Sequence, residues 1–173
     1  MRRDFRFSII IFAVLAAPFL SSCLRQERTP PPQISQVQTR ELQTREFPKG
    51  TAIAGMKAVS AALQDEGYSI ETANTELGLI TASRTVSDID TTTRDTQIFW
   101  KGFAKDYRTA RSWIVTANIS EINEKLRIRI SLVEQELSET GGIMYSYPVV
   151  DPALYQALFS KVDKSVFLQR NKL

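Results

Sequence analysis

Histidine is absent from the 173 residues, and cysteine occurs once. Without His there is no Ser-His-Asp or Cys-His nucleophile and no His-ligated metal centre. A single Cys forms neither an intrachain disulfide nor a multi-cysteine zinc site. The seven glycines are scattered, with no Gly-x-Gly-x-x-Gly or Walker pattern to cradle a phosphate. Neither Ser-x-x-Lys nor Gly-x-Ser-x-Gly occurs. These absences point away from an enzyme. The remaining composition, 24% charged and 43% hydrophobic, belongs to a folded globular chain, and the length suits one ordinary domain.

The first residues are of a different kind. Arg2, Arg3 and Arg6 form a basic start, and Ile9 to Leu20 an apolar run interrupted by Pro18. A membrane span needs roughly 20 apolar residues, so this run has signal-peptide length and stays out of the fold reasoning. It exits through Leu20-Ser21-Ser22-Cys23, an apolar residue, two small residues and a Cys. That pattern resembles the bacterial lipobox. The expected chemistry is alkylation of the Cys23 thiol by a diacylglyceryl group, cleavage between Ser22 and Cys23, and acylation of the new amino terminus. A plain signal peptide with an incidental Cys, or an uncleaved anchor, is the alternative. Two or three acyl chains hold a protein on a membrane firmly, each buried methylene contributing about 0.8 kcal/mol.

Leu24, rather than Asp, follows the expected lipidated Cys. By the retention rule known from enteric bacteria this predicts the outer membrane, lipid-anchored and facing the periplasm; the outer leaflet of the inner membrane is the alternative. Residues 24–38, with Pro30-Pro31-Pro32 among Gln, Arg and Ser, read as a tether. Pro-rich linkers extend at about 3.1 Å per residue. The expected organisation is a lipoprotein signal peptide (1–22), lipidated Cys and tether (23–38) and one α+β periplasmic domain (39–173). The formal charge of +3 shrinks with the signal peptide, which carries three Arg against one Asp. No nucleic-acid partner is expected of an exported, near-neutral domain.

From Thr39 the hydrophobic period organises the rest. Arg40 to Phe47 suits a first strand, with Leu42 among its few apolar contacts. Thr51 is an N-cap candidate. Ala52, Met56, Val59 and Leu63 follow at helical spacing up to Gly67, which predicts a helix over 52–66. Tyr68 to Thr72 and Leu77 to Arg84 read as a hairpin. Trp113, Val115, Ala117 and Ile119 alternate with more polar residues, as do Leu126, Ile128, Ile130 and Leu132, about a turn at Ile122-Asn123-Glu124. One sheet face is therefore buried and the other wet. Gly141-Gly142 turns into Ile143-Met144-Tyr145. Asp151-Pro152 opens a last helix with Pro at its first position and a stripe of Tyr155, Leu158, Phe159, Val162 and Val166. The expectation is an α+β fold: an antiparallel sheet of about five strands, two helices on one face, order β-α-β-β-β-β-α, helix-grip-like.

Gln43-Thr44-Arg45-Glu46-Phe47, Leu63-Gln64-Asp65-Glu66-Gly67-Tyr68, the stretch Asn74 to Ala82 and the closing run Tyr155 to Leu168 together resemble a family of uncharacterised Gram-negative lipoproteins. The resemblance implies export and lipidation, and it brings no activity. More loosely, the strand-helix-sheet-helix order is similar to the helix-grip domains of the accessory lipoprotein of the outer-membrane β-barrel assembly machine, a likeness of topology that does not fix function.

Candidate chemistry is sparse. Ser87 to Asp95 carries acidic residues at alternate positions, as a calcium loop would. Thr93 stands where the sixth-position Gly belongs and Phe99 where a bidentate Glu is needed, so no metal is expected and the stretch reads as a solvated loop. Glu134, Glu136 and Glu139 cluster near a strand end and read as polar positions of a half-exposed strand; a hydrolase would need them in a cleft. Arg127 and Arg129 read as the wet face of that strand. Phe99, Trp100, Phe103 and Tyr107, with Lys101, Lys105 and Arg108 around them, predict a short helix. Phe99, Trp100, Phe103, Tyr107 and Arg108 are its candidates for contact with a partner or membrane, unless the aromatics simply cover the sheet.

The reading that follows is a membrane-anchored, non-enzymatic lipoprotein acting as an accessory or interaction module in the cell envelope. It expects no cofactor beyond the covalent diacylglyceryl and N-acyl lipid on Cys23. Its partners are the membrane and an envelope protein. The alternative is a binder of a small apolar ligand or lipid between the sheet and the last helix, with Trp113, Phe159 and Phe167 lining the cavity.

Overall fold

A computed structural model describes residues 35–48 and 50–171, apart from the side chains of residues 170 and 171. The elements run α1 (Gln36–Gln43), β1 (Thr44–Pro48), α2 (Ala52–Asp65), β2 (Ser69–Asn74) and β3 (Leu79–Ser87). They continue with α3 (Thr91–Lys101), β4 (Arg108–Ile122), β5 (Lys125–Ser138), β6 (Ile143–Pro148) and α4 (Pro152–Asn171). This is an α+β fold around one fully antiparallel sheet in the order β2-β3-β4-β5. Beyond β5 the edge is shared: β1 pairs with its first half (Lys125 to Arg129) and β6 with its second (Val133 to Leu137).

Local chemistry explains the boundaries. The Thr51 hydroxyl accepts from the Ala54 amide at 3.2 Å and caps α2, satisfying one of the free N–H groups of its first turn. At the other end Gly67, with φ of 78°, lets the chain reverse while the Gly67 and Tyr68 amides bond back to Gln64 and Leu63. The β4–β5 hairpin turns on Asn123 and Glu124, both at positive φ (52° and 63°), as a two-residue turn of the twist-matched kind requires. Asp151 Oδ1 accepts from the Ala153 amide at 2.9 Å and starts α4 on its proline.

The alternating positions of β4 and β5 fill the core with Val115, Ala117, Ile119, Leu126, Ile128, Ile130 and Leu132. Against them pack Met56, Val59, Ala62 and Leu63 of α2 and Tyr155, Leu158, Phe159 and Val162 of α4. Gly55 lets α2 lie close on the sheet: a Cβ there would lie 2.7 Å from Leu126 Cδ1 and 2.9 Å from Ile119 Cγ2. Lys161 of α4 ion-pairs with Glu66 at the end of α2.

One buried polar device closes the gap that β1 and β6 leave on the β5 edge. The Tyr155 hydroxyl, on a side chain 1% exposed, accepts from the Leu132 amide at 3.2 Å and donates to the Val149 carbonyl at 3.2 Å. Gln43 Nε2 donates to the same oxygen at 3.4 Å, and Gln43 Oε1 accepts from Arg129 Nη2 at 3.2 Å. The Val149 amide in turn bonds the Leu132 carbonyl. Both backbone groups of Leu132 thus meet a partner at this break, as buried backbone must.

Two sequence expectations are corrected. Residues 40–43 are helical rather than the start of a strand, because Ser35 and Gln38 form a capping box and β1 begins only at Thr44. That helix opens at Gln36, inside the stretch read as tether. Residues 91–95, read as part of a solvated loop over 87–95, are instead the first turns of a capped helix that runs to Lys101.

Candidate functional site

The feature of the domain least explained by its own packing is the excursion between β3 and β4. Asp90 caps α3: its carboxylate accepts from the Thr93 amide at 3.1 Å and from the Thr93 hydroxyl at 2.8 Å. Those bonds, the backbone one first, hold the Asp90 carboxyl below its ordinary value. The helix ends on Gly102 in the left-handed conformation, with φ of 73°. Asp90, three residues ahead of Thr93, and a Gly soon after the apolar Ile98-Phe99-Trp100 are start and stop signals that the sequence carries openly.

The base of the excursion is fastened. The Asp88 and Asp90 amides bond the Thr109 and Arg108 carbonyls. Arg108 Nη2 lies 3.2 Å from Asp88 Oδ2, and its Nη1 lies 3.4 Å from Glu136 Oε1. Arg111 Nε is 2.6 Å from Asp88 Oδ2, and its Nη1 is 3.5 Å from Glu134 Oε1. Gln97 clamps the return limb: its Oε1 accepts from the Lys105 amide at 3.0 Å and its Nε2 donates to the Asp106 carbonyl at 3.0 Å. Between these two fastenings the tip projects freely. Phe99 is 79% exposed, Trp100 77% and Phe103 62%. No residue of α3 is buried, and a Cβ on Gly102 would meet nothing within 4 Å. Phe99 and Trp100 touch edge to face, with centroids 5.0 Å apart. Lys101 and Lys105 are exposed beside them.

The five expected contact residues therefore divide. Phe99, Trp100 and Phe103 form one exposed apolar tip. Tyr107 and Arg108 leave it. Tyr107 is 8% exposed; burial, with the nearby carboxylate of Glu139, pushes its hydroxyl pKa up. Arg108 serves the ion network at the base. Helical spacing cannot show this, because the helix stops at Gly102 and β4 takes up residue 108.

The acidic candidates are also relocated. Glu134 lies opposite Trp113, and Glu136 opposite Arg111, so both continue the buried series of Ile128, Ile130 and Leu132 rather than the wet one. Glu136 is only 5% exposed and is held by Arg108. Asp88 is likewise committed to two guanidinium groups. Among the described residues no group of three or more His, Cys, Asp or Glu is placed to hold a metal ion.

Arg127 and Arg129 do lie on the open face. Arg127 pairs with Glu46 at 3.8 Å. Together with Asn118, Ser120, Arg40 and Glu41 they line an open groove of about 720 Å³ between α1 and the sheet. Its charges are of both signs. Neither this groove nor the one beside Phe167 is lined by Trp113, Phe159 and Phe167 together. Arg84 lies over the Trp113 ring at 5.1 Å and over Tyr68 at 4.9 Å. Phe159 is packed in the core, and Phe167, half exposed, borders a separate open groove of about 430 Å³ with Phe47 and Lys164.

Cys23, the Ser22–Cys23 bond, the signal peptide and residues 24–34 of the tether lie outside the described residues. No helix among the described residues is long and apolar enough to cross a membrane.

No family model matches the chain, and no curated protein matches it. Among solved structures it is similar to a TBP-like protein from Parabacteroides distasonis ATCC 8503, at 14% identity and a TM-score of 0.35, covering 71% of this chain and 90% of that one. So distant a likeness carries no functional argument.

Proposed function

We propose that the protein is a bacterial lipoprotein of the cell envelope, anchored through acylated Cys23, whose folded domain is a non-enzymatic accessory or interaction module. The observation that carries the anchor is the run Leu20-Ser21-Ser22-Cys23 behind a basic start and an apolar stretch of signal-peptide length. Leu24 favours the outer membrane, with the domain in the periplasm.

The α3 tip is one contact surface of the module, apart from the face that would meet a protein partner. Exposed aromatic side chains held by a rigid base are a common means by which a small surface delivers binding energy. The base here is rigid for a stated reason, since two arginines, three carboxylates and Gln97 fasten both limbs of the excursion. The carboxylates of the domain support this reading as well: Asp88, Glu134 and Glu136 neutralise those arginines and so serve the platform.

Crosslinking in intact cells tests the module. A defined envelope protein recovered with the chain is the expected result, and recovery of only nonspecific neighbours would count against it.

A further inference from the structure

We propose that the α3 tip inserts into the surface of a phospholipid bilayer, so that the domain is held to its membrane at two points. This rests on the anchored reading above and names what the tip meets. The first ground is the chemistry of the tip. Phe99, Trp100 and Phe103 are exposed together with Ile98 at the end of a helix that buries none of its residues. Lys101 and Lys105 stand exposed beside them. Aromatic rings that enter the headgroup layer, with lysines kept at the phosphates, are the pattern of an interfacial anchor. Arg94 is paired with Asp95 at 3.0 Å, so Lys101 and Lys105 against Asp106 leave the tip with a net positive charge, suited to anionic lipid.

The second ground is size. At roughly 150–250 Å² per aromatic side chain, the exposed parts of the three rings offer on the order of 400–500 Å². A stable protein–protein interface buries about 800 Å² on each partner. The tip is therefore small for a second copy or another folded protein, and it stands clear of its surroundings at Gly102. A bilayer needs no complementary shape.

The third ground is continuity with the anchor. A chain acylated at Cys23 meets its membrane intramolecularly, and an effective concentration of that kind lets a weak second contact stay engaged. The twelve residues from Cys23 to Ile34 reach several tens of ångströms at about 3.1 Å each, enough for the domain to lie over on its tip.

The test uses the full-length chain in vesicles of phosphatidylethanolamine and phosphatidylglycerol whose acyl chains are brominated near the headgroup. In a Trp113→Phe variant Trp100 is the sole tryptophan. Its emission is expected to fall at least twofold against unbrominated vesicles. Adding Phe99→Ser and Phe103→Ser should remove most of that quenching while the thermal melt stays the same. Should Trp113→Phe fail to fold, the wild type compared with Trp100→Phe gives the same difference. Emission from Trp100 that ignores brominated lipid would overturn the proposal. So would a photocrosslinker at position 103 that captures one defined protein in intact cells. Failure of the anchor reads separately, in the mass of the chain: an unacylated protein that keeps residues 1–22 is still held to the vesicle by its apolar run, and Trp100 quenching judges the tip regardless.

Discussion

Replacing Tyr155 by Phe removes one oxygen from the centre of the fold. That oxygen accepts from the Leu132 amide and from Gln43 Nε2 and donates to the Val149 carbonyl. The ring itself stays, so packing is conserved and the loss is polar. An intramolecular hydrogen bond contributes about 0.5–1.5 kcal/mol net, and a buried donor left without a partner costs about 1–3 kcal/mol. Leu132 lies where neither β1 nor β6 reaches, so no neighbouring strand replaces the lost acceptor. Together these set the expected destabilisation at about 2–3 kcal/mol. With a urea m-value of about 1–3 kcal/mol/M for a domain of this size, the midpoint of a urea titration should drop by roughly 1–2 M at unchanged m. In a Gln43→Leu background the same substitution should cost less, because the two side chains share one network. A midpoint within about 0.2 M of wild type, at a cost below about 0.5 kcal/mol, would be incompatible with the loss of three such bonds. The hydroxyl would then not be closing the gap at the β5 edge.

Gly55→Ala should destabilise by about 1–3 kcal/mol, the range for overpacking, since the new Cβ falls 2.7 Å from Leu126 Cδ1; denaturant titration reads it. Asp90→Ala should lower the stability of α3 by about 1 kcal/mol, seen as faster amide exchange in residues 92–96 while the amides of β4 and β5 keep their protection. The folded-state pKa of Asp90 is depressed. Its contribution is therefore fully present above the unfolded value of about 3.9 and is lost as pH falls through the folded one. Exchange in α3 followed by mass spectrometry between about pH 6 and about pH 3, read against wild-type β5, checks the sign. Phe99→Ser with Phe103→Ser should leave the stability within about 0.5 kcal/mol of wild type, because neither ring packs in the core. A large loss in the urea titration would mean that the tip is structural.

Much of the architecture was legible because it follows from period and punctuation. Helix α2 lies between Thr51 and Gly67, α4 starts on Asp151-Pro152, and both long strands alternate cleanly. The miss at α1 has a local cause: Gln36 to Gln43 is almost wholly polar, so no apolar period marks it, and only the Ser35–Gln38 capping box does. Glu134 and Glu136 were misplaced for the opposite reason. Their charge suggests solvent, whereas their parity with Leu132 puts them on the buried face, where Arg108 and Arg111 from the neighbouring strand neutralise them. Of the candidate site, the aromatic tip was visible as composition. Where it ended was not, because Tyr107 lies five residues beyond the helix stop at Gly102 and is buried at the sheet end. Gln97 gives no signal in one dimension, since its work is to hold backbone groups that the fold alone brings within reach.

An anchor at Cys23 would be visible in the intact mass of the chain extracted from its own cell membranes. The expected species is a polypeptide that begins at Cys23 and carries a diacylglyceryl group and an amide-linked acyl chain, together with a Cys23→Ser variant that stays unacylated and keeps residues 1–22. A wild-type chain without acyl mass, or acylation that persists in Cys23→Ser, would contradict it.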